Sequence, residues 1–208
     1  MSTPALKVLL NYWEELRNGR VAPLRSEIDP RAFESALQHT FVIERVERDN
    51  FRFRLAGMKL CDYMGMELRG MPATALIEHG DRSRFQALLE GFFTKPGIVQ
   101  LELRVAHQSG NTIPARMLLL PMRGHDGKIN RVLGGLTCDG PPTSTPTRFA
   151  ITDLNVSRIV ATKQRQQSVL QPGFAQDSAG FTHRATTVPK GGGDAARRPY
   201  LRLVASND

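Results

Sequence analysis

Apolar residues recur every three or four positions between residues 5 and 18, and this spacing predicts an amphipathic helix. Asp29-Pro30 predicts a second, short helix over residues 31–38, because aspartate suits the cap position and proline the first helical turn. The chain is therefore expected to open with a helical extension over residues 1–39. The apolar face of the first helix consists of Leu6, Leu9, Leu10, Trp13 and Leu16.

A two-residue alternation then replaces the helical spacing and predicts strands over residues 40–47 and 51–56. Residues 48–50 have the composition of a tight turn, so the two strands are expected to form a hairpin. One face of the second strand should be buried and the other should lie in water. Apolar and basic residues alternate along it in the order Phe51, Arg52, Phe53, Arg54 and Leu55.

Strand alternation is absent between residues 58 and 94, where glycine and proline interrupt the chain at short intervals. This spacing predicts several short helices, the first over residues 58–64. Asp81 is expected to cap a longer helix that runs to Thr94, because aspartate accepts hydrogen bonds from the N–H groups of a first helical turn.

Alternation returns after residue 97 and predicts strands over residues 98–107, 112–122 and 129–138. Gly134-Gly135 in the last strand predicts a bulge or a close contact. With the hairpin, these strands predict an α+β domain over residues 40–139, a five-stranded antiparallel sheet with short helices over one face.

The composition changes after residue 139. Proline, glycine, serine and threonine predict a linker that starts at residue 140, and residues 148–163 are compatible with a strand or a weak helix. Residues 164–198 contain few large apolar side chains and are predicted to be disordered, so residues 140–208 are expected to be a linker followed by a mostly disordered basic tail. Residues 200–204 regain the two-residue alternation, which suits either an inert tail or a peptide that docks on a sheet edge.

The net charge and the lengths of the apolar runs limit the functional classes to which this protein can belong. The net charge of +8 is spread along the 208 residues, so nucleic-acid binding through the basic tail is kept only as an alternative. No apolar run reaches the roughly 18 residues of a membrane span, and the first four residues do not resemble a signal peptide. We therefore expect a cytoplasmic protein that does not associate with membranes.

Enzyme signatures are missing from the sequence. It contains no glycine-rich phosphate loop, no GxSxG elbow, no HExxH motif and no paired carboxylates. Cys61 and Cys138 are far apart, and no histidine cluster has the spacing of metal ligands. We expect no catalytic residues and no metal site.

The order of elements resembles the PAS fold, and most closely the small bacterial single-PAS proteins that carry no kinase or cyclase. The resemblance spans about residues 5–138. It rests on Ile28-Asp29-Pro30, on the strand from Phe51 to Gly57, and on the turn Gly65-Met66-Glu67-Leu68-Arg69-Gly70-Met71-Pro72.

This resemblance implies a regulatory or sensory protein with a cleft between sheet and helices. It implies a small ligand or a partner, with another signalling protein as the effector acted on in trans, and it leaves a homodimer open. The alternatives are a constitutive interaction module without a ligand, or a nucleic-acid-associated protein that uses the basic tail.

The resemblance does not name a cofactor. The residues around Cys61 lack the Asn-Cys-Arg-Phe motif of a flavin thiol adduct, so that chemistry is not expected. His79 is the only histidine near the predicted helical lid and is the one candidate for haem ligation.

Two sets of candidate site residues follow. The first suits either a packed core or the lining of an apolar cavity, in which soft methionines would adapt to varied ligands. It comprises Phe53, Leu55, Met58, Cys61, Tyr63, Phe85, Leu89, Leu103, Met117 and Leu136. The second would lie on the other sheet face, which is either a solvated surface or, through Leu118 and Leu120, a partly apolar site for the N-terminal helix or for a second subunit. It comprises Trp13, Leu16, Arg52, Arg54, Arg104 and Arg116.

Overall fold

Six antiparallel strands form one sheet in the computed structural model, which describes residues 3–106, 111–142 and 144–161. The strands are β1 (Thr40–Glu47), β2 (Asn50–Ala56), β3 (Gly97–Ala106), β4 (Thr112–Arg123), β5 (Ile129–Cys138) and β6 (Ala150–Arg158). Their order across the sheet is β2-β1-β5-β4-β3-β6. The predicted hairpin of β1 and β2 therefore joins β3, β4 and β5 through the β1–β5 pair.

Four α-helices accompany the sheet within the described residues. They are α1 (Pro4–Arg17), α2 (Glu34–Leu37), α3 (Met58–Met64) and α4 (Arg82–Thr94). Short 3₁₀ helices cover Arg25–Glu27, Pro30–Phe33, Ala73–Leu76 and His79–Asp81. The helix predicted over residues 31–38 is thus a 3₁₀ turn followed by α2, and Asp29 begins it by accepting a 3.0 Å hydrogen bond from the Arg31 N–H.

The predicted alternation along β2 is wrong at its end, because the hairpin contains a β-bulge. Ile43 lies opposite Phe53 and Val42 lies opposite Leu55, so that Arg54 is an extra residue on β2. The bulge turns Leu55 to the face of Val42, away from that of Phe53. Leu55 is consequently 42% exposed, whereas Phe53 is buried.

The sheet has six strands instead of the predicted five, since the segment after the predicted linker forms β6 and pairs with β3. A bulge in this pair explains the ambiguous pattern of residues 148–163. Ile151 lies opposite Leu103 and Leu154 lies opposite Leu101, so these two inward-facing residues are three positions apart in sequence. Because of this bulge, β6 lacks the strict two-residue alternation by which a strand is recognised.

One face of the sheet packs against α3, α4 and the 3₁₀ turns between them, as predicted for residues 58–94. Aromatic rings meet across this core. Phe41 and Phe53 have their centroids 5.6 Å apart at a steep angle, and Phe51 stacks on Phe93 at 5.4 Å. These geometries are favourable for ring pairs.

The opposite face is covered by α1, the N-terminal helix that was one of the two occupants predicted for this surface. Leu6, Leu9 and Trp13 are buried against Leu118 and Leu120 of β4. Residues 3–39 thus contribute to a second core on the same sheet.

Gly134-Gly135 of β5 is a close contact, because both faces of the strand are occupied at these positions. A Cβ atom on Gly134 would overlap the ring of Phe41, and one on Gly135 would lie 2.6 Å from Cδ2 of Leu6. The two glycines let a ring approach one side and a helix the other.

The disorder predicted for residues 164–208 and the docking peptide proposed at residues 200–204 lie outside the described residues. Within the described residues, no helix has the length and apolar character needed to cross a membrane.

Candidate functional site

The residues predicted to line an internal cavity do not stay together. Cys61 is half-buried, and Leu55 and Met58 are 42% and 71% exposed. Leu55 is turned outward by the bulge, and Met58 lies on the outer side of α3 at its first position. The other seven are in the core between sheet and helices, namely Phe53, Tyr63, Phe85, Leu89, Leu103, Met117 and Leu136.

A pocket lies beside that core, between α3 and the chain that follows β5. Its volume is about 430 Å³, within the range of small-molecule sites. We call it the α3 pocket. It is lined by His39, Lys59, Asp62, Tyr63, Cys138, Gly140, Pro141, Pro142, Thr145 and Thr147.

The α3 wall is fixed by the start of the helix. Gly57 precedes α3 and donates its N–H to the carbonyl of Thr40 at 2.8 Å, and the Lys59 N–H reaches the carbonyl of Gln38 at 3.0 Å. A Cβ atom on Gly57 would overlap the carbonyl oxygens of Leu37 and Gln38. Glycine therefore permits the close approach that places Lys59 and Asp62 at the pocket.

The opposite wall is the segment that joins β5 to β6. Its first end is held where the Asp139 N–H donates to the carbonyl of Pro114 at 2.9 Å. Its second end is held where the Thr147 N–H donates to the carbonyl of Tyr63 at 2.7 Å. The Thr147 hydroxyl also donates to the carbonyl of Ser144 at 2.6 Å, which closes the turn. The wall is thus attached to both the sheet and α3.

Tyr63 and Cys138 give the pocket neutral polar groups. Burial raises the pKa of Tyr63 to about 12, and the charges of Cys138 and Asp62 act in the same direction. Burial likewise raises the pKa of the Cys138 thiol. At neutral pH both groups are protonated, so the pocket offers hydrogen-bond donors and lacks an activated thiolate.

His39 adds a polar atom without a partner. Its Nδ1 is buried and has no hydrogen-bond partner among the described residues. Burial lowers the pKa of His39, and the charge of Lys59 lowers it further. The imidazole is therefore neutral at physiological pH, with one ring nitrogen left to interact.

His79, the candidate haem ligand, is exposed in the 3₁₀ turn His79–Asp81 and does not line the α3 pocket. Across the described ranges, no three His, Cys, Asp or Glu side chains gather in a group that could hold a metal ion.

The residues predicted to mediate interactions are engaged largely within the chain. Trp13 is fully buried and Leu16 half-buried on α1. Arg52 donates to the carbonyl of Gly70 at 2.8 Å, and Arg54 pairs with Glu44. Arg116 forms ion pairs with Glu102 and Asp139, and Arg104 is exposed on β3.

Most of the α3 pocket was missed by sequence reasoning, which placed only Tyr63 among the ligand-binding residues. Lys59 and Asp62 were not among the candidate residues, and residues 140–147 were predicted to be a linker. The available signal was the pair of prolines at 141 and 142 followed by threonines at 145 and 147, a composition that also suits an ordered turn.

The family model described as "PAS domain" matches residues 1–137. A comparison with curated proteins finds no match. Among solved structures, the chain is similar to a light-oxygen-voltage domain whose mechanism was studied with a flavin analogue. The identity is 15%, the TM-score is 0.41, and the match covers 53% of this chain and 83% of that one.

Two further structures are similar. The LOV protein of Rhodobacter sphaeroides shares 15% identity over 56% of this chain and 71% of its own, with a TM-score of 0.39. The PAS domain of a Colwellia psychrerythraea protein shares 14% identity over 52% of this chain and 94% of its own, with a TM-score of 0.38.

Proposed function

Since the chain belongs to the PAS domain family, we propose that it is a regulatory sensor that binds a small polar molecule in the α3 pocket and signals to a separate effector protein. The observation that carries this proposal is the construction of the pocket. One wall is α3, and the other is the segment that leads directly into β6.

The chemistry of the lining favours a polar ligand over the apolar one expected from the sequence. Lys59 and Asp62 bring one charge of each sign, while Tyr63, Thr145 and Thr147 bring hydroxyl groups. A small molecule with both donors and acceptors, including a zwitterion, matches this set.

Ligand binding would be transmitted through the wall. A molecule that contacts Thr145 or Thr147 also affects the Thr147–Tyr63 hydrogen bond and β6, the last strand in the order of the sheet. Edge strands present backbone groups to which partner proteins add a strand. A shift of β6 is thus a route from the α3 pocket to an effector.

The test is thermal unfolding of the full chain with a panel of small polar metabolites. A ligand at about 100 times its dissociation constant stabilises a protein by about 2.7 kcal/mol, which raises the midpoint by several degrees. Lys59→Trp would fill the pocket and should abolish the response. Met58→Trp is the matched control, because Met58 is exposed on the same helix and does not line the pocket.

A panel in which no compound shifts the wild-type midpoint would refute the sensor proposal. An equal response in Lys59→Trp and Met58→Trp would refute the assignment of the site.

The packed core favours a second candidate function, a constitutive interaction module. Seven of the residues expected around a cavity are buried against each other and against neighbouring core residues. Such a module would bind its partner equally well with and without any member of the metabolite panel, whereas the sensor would bind it in a ligand-dependent manner.

A further inference from the structure

Four arginines surround a second pocket, which shares no lining residue with the α3 pocket. Its volume is about 330 Å³. Four guanidinium groups face a single carboxylate, so the lining carries a net charge of +3. We call it the arginine pocket. It is lined by Arg25, Val42, Glu44, Arg54, Leu55, Arg69 and Arg131.

Three of the charged residues are placed by the sheet itself. Glu44 of β1 lies directly opposite Arg131 of β5 in the strand register. Arg54 is the extra residue of the β2 bulge, and it pairs with Glu44 as well. The bulge thus creates the pocket by turning Arg54 and Leu55 to the same region.

The other two arginines come from connecting segments that are held to the sheet. Arg69 precedes Gly70, whose N–H donates to the carbonyl of Phe53 at 2.7 Å. Arg25 begins the 3₁₀ helix Arg25–Glu27, and the preceding chain is held where the Arg123 N–H donates to the carbonyl of Pro23 at 2.9 Å. Both guanidinium groups therefore start from fixed backbone.

Both oxygens of the Glu44 carboxylate already accept a hydrogen bond from an arginine. Oε1 accepts from Arg131 at 2.7 Å, and Oε2 accepts from Arg54. Arg25 and Arg69 make no ion pair among the described residues. The Nε of Arg131 is also buried without an acceptor in this part of the chain. The pocket thus holds more donors and more positive charge than the protein neutralises.

We propose that the arginine pocket binds a small, multiply charged anion through carboxylate or phosphoryl groups. Guanidinium groups present planar pairs of donors that match both groups in bidentate geometry. An anion would also relieve the repulsion among the arginines. The concave shape and the volume suit a single small molecule, whereas a nucleic acid would require an extended basic stripe.

The experiment is calorimetric titration of the full chain with pyrophosphate and, separately, with citrate, at constant ionic strength. The two arms distinguish the phosphoryl from the carboxylate source. At least one anion should bind saturably at one site per chain. Arg25→Gln and Arg69→Gln should each weaken that binding by about tenfold or more, since each removes a charge-assisted contact.

The matched control is Arg104→Gln, which removes the same charge from an exposed position on β3. It should change the affinity by less than about twofold if the site is local. Because neither Arg25 nor Arg69 forms an ion pair in the described residues, both variants should keep the wild-type melting temperature, and either one alone suffices for the test. Lys59→Trp should leave anion binding intact, which separates this site from the sensor proposal.

Failure of both anions to bind saturably would overturn the proposal. An equal loss of affinity in Arg104→Gln would do so too, because it would show diffuse attraction by the net charge. In a further titration, binding of an acidic peptide together with failure of both anions would likewise overturn it, because the occupant would then be a partner protein.

Discussion

The indole Nε1–H of Trp13 donates a 2.9 Å hydrogen bond to the carbonyl oxygen of Pro121 on β4. The Trp13 side chain is fully buried, so this bond is shielded from water. It joins the N-terminal helix to a strand more than one hundred residues away in sequence. The helix α1 is therefore part of the folded sheet domain, and its removal should lower the free energy of unfolding.

Trp13→Ala should lower the free energy of unfolding by about 3–5 kcal/mol, because it leaves a large cavity between α1 and β4. Trp13→Phe should cost less, since it keeps much of the apolar area and loses the hydrogen bond. Urea unfolding followed by circular dichroism measures both. Glu15→Ala, on the exposed side of the same helix, is the control and should change stability by no more than about 0.5 kcal/mol. Unchanged stability after deletion of residues 1–19 would contradict this role of α1.

Sequence patterning predicted the helices and five of the strands because those elements obey simple periods. The amphipathic stripe of α1 and the alternation of β3 are each produced by one buried face. The sequence predicted either a bulge or a close contact at Gly134-Gly135, and the structure shows the close contact, which the ring of Phe41 makes at Gly134.

The remainder depended on bulges and on contacts between distant segments, which leave no periodic signal. The bulge at Arg54 reversed the orientation of Leu55, and the bulge opposite Glu102 hid the strand β6. Asp81 precedes α4 as predicted, but its side chain makes no cap hydrogen bond and instead accepts one from Ile151. The α3 pocket was missed for the same reason, since its second wall is a segment that lies far from α3 in sequence.

Alanine at Gly134 should destabilise the protein more than alanine at Gly135. A Cβ at position 134 meets the Phe41 ring, which is fully buried and packed on Phe53, whereas one at position 135 meets the end of the flexible Leu6 side chain. Overpacking of a core costs about 1–3 kcal/mol, and Gly134→Ala should lie in that range. Chemical unfolding of the two variants provides the comparison. Equal stability would show that the Phe41 ring can shift without cost.

Glu44→Gln should destabilise the protein in a pH-dependent way. Burial raises the pKa of Glu44, but hydrogen bonds from Arg54 and Arg131 outweigh it, and the net effect lowers the pKa below its ordinary value of 4.5. A lowered pKa in the folded state stabilises the fold above the ordinary value, and this contribution is lost as the pH falls through the folded-state pKa.

The wild type should therefore exceed Glu44→Gln by about 1–3 kcal/mol at pH 7, and the difference should shrink in acid below pH 4.5. Urea unfolding at a series of pH values gives the profile. Glu102→Gln is the control, because Glu102 is 51% exposed and its ion pair with Arg116 should contribute at most about 1 kcal/mol. A difference that stays constant down to pH 3 would show that the carboxylate charge of Glu44 does not act through these arginines.

Cys138 should react slowly with iodoacetamide at pH 7 in a Cys61→Ser background. Burial raises the pKa of its thiol above the ordinary value of 9.0, and the thiolate is the reacting form. The rate, followed by mass spectrometry, should still be rising with pH at pH 9, because the thiolate fraction levels off only above the thiol pKa, and a ligand in the α3 pocket should lower the rate at every pH. Reaction at pH 7 as fast as that of free glutathione would mean that the wall over Cys138 opens readily.

Asp81→Ala tests the attachment of β6 to the helical layer. Asp81 Oδ2 accepts a 2.8 Å hydrogen bond from the backbone N–H of Ile151, near the start of β6. Since an acceptor with negative charge makes a stronger bond than a neutral one, its removal should cost about 1.5–3 kcal/mol.

Hydrogen exchange should accelerate at Ile151, while the β1–β5 pair at the centre of the sheet should keep its protection unless global unfolding dominates its exchange. Asp153→Ala is the matched control, because Asp153 is an exposed aspartate on β6 itself. Equal exchange rates at Ile151 in the two variants would show that β6 is held only by its pairing with β3. A path from the α3 pocket to β6 would then not involve α4.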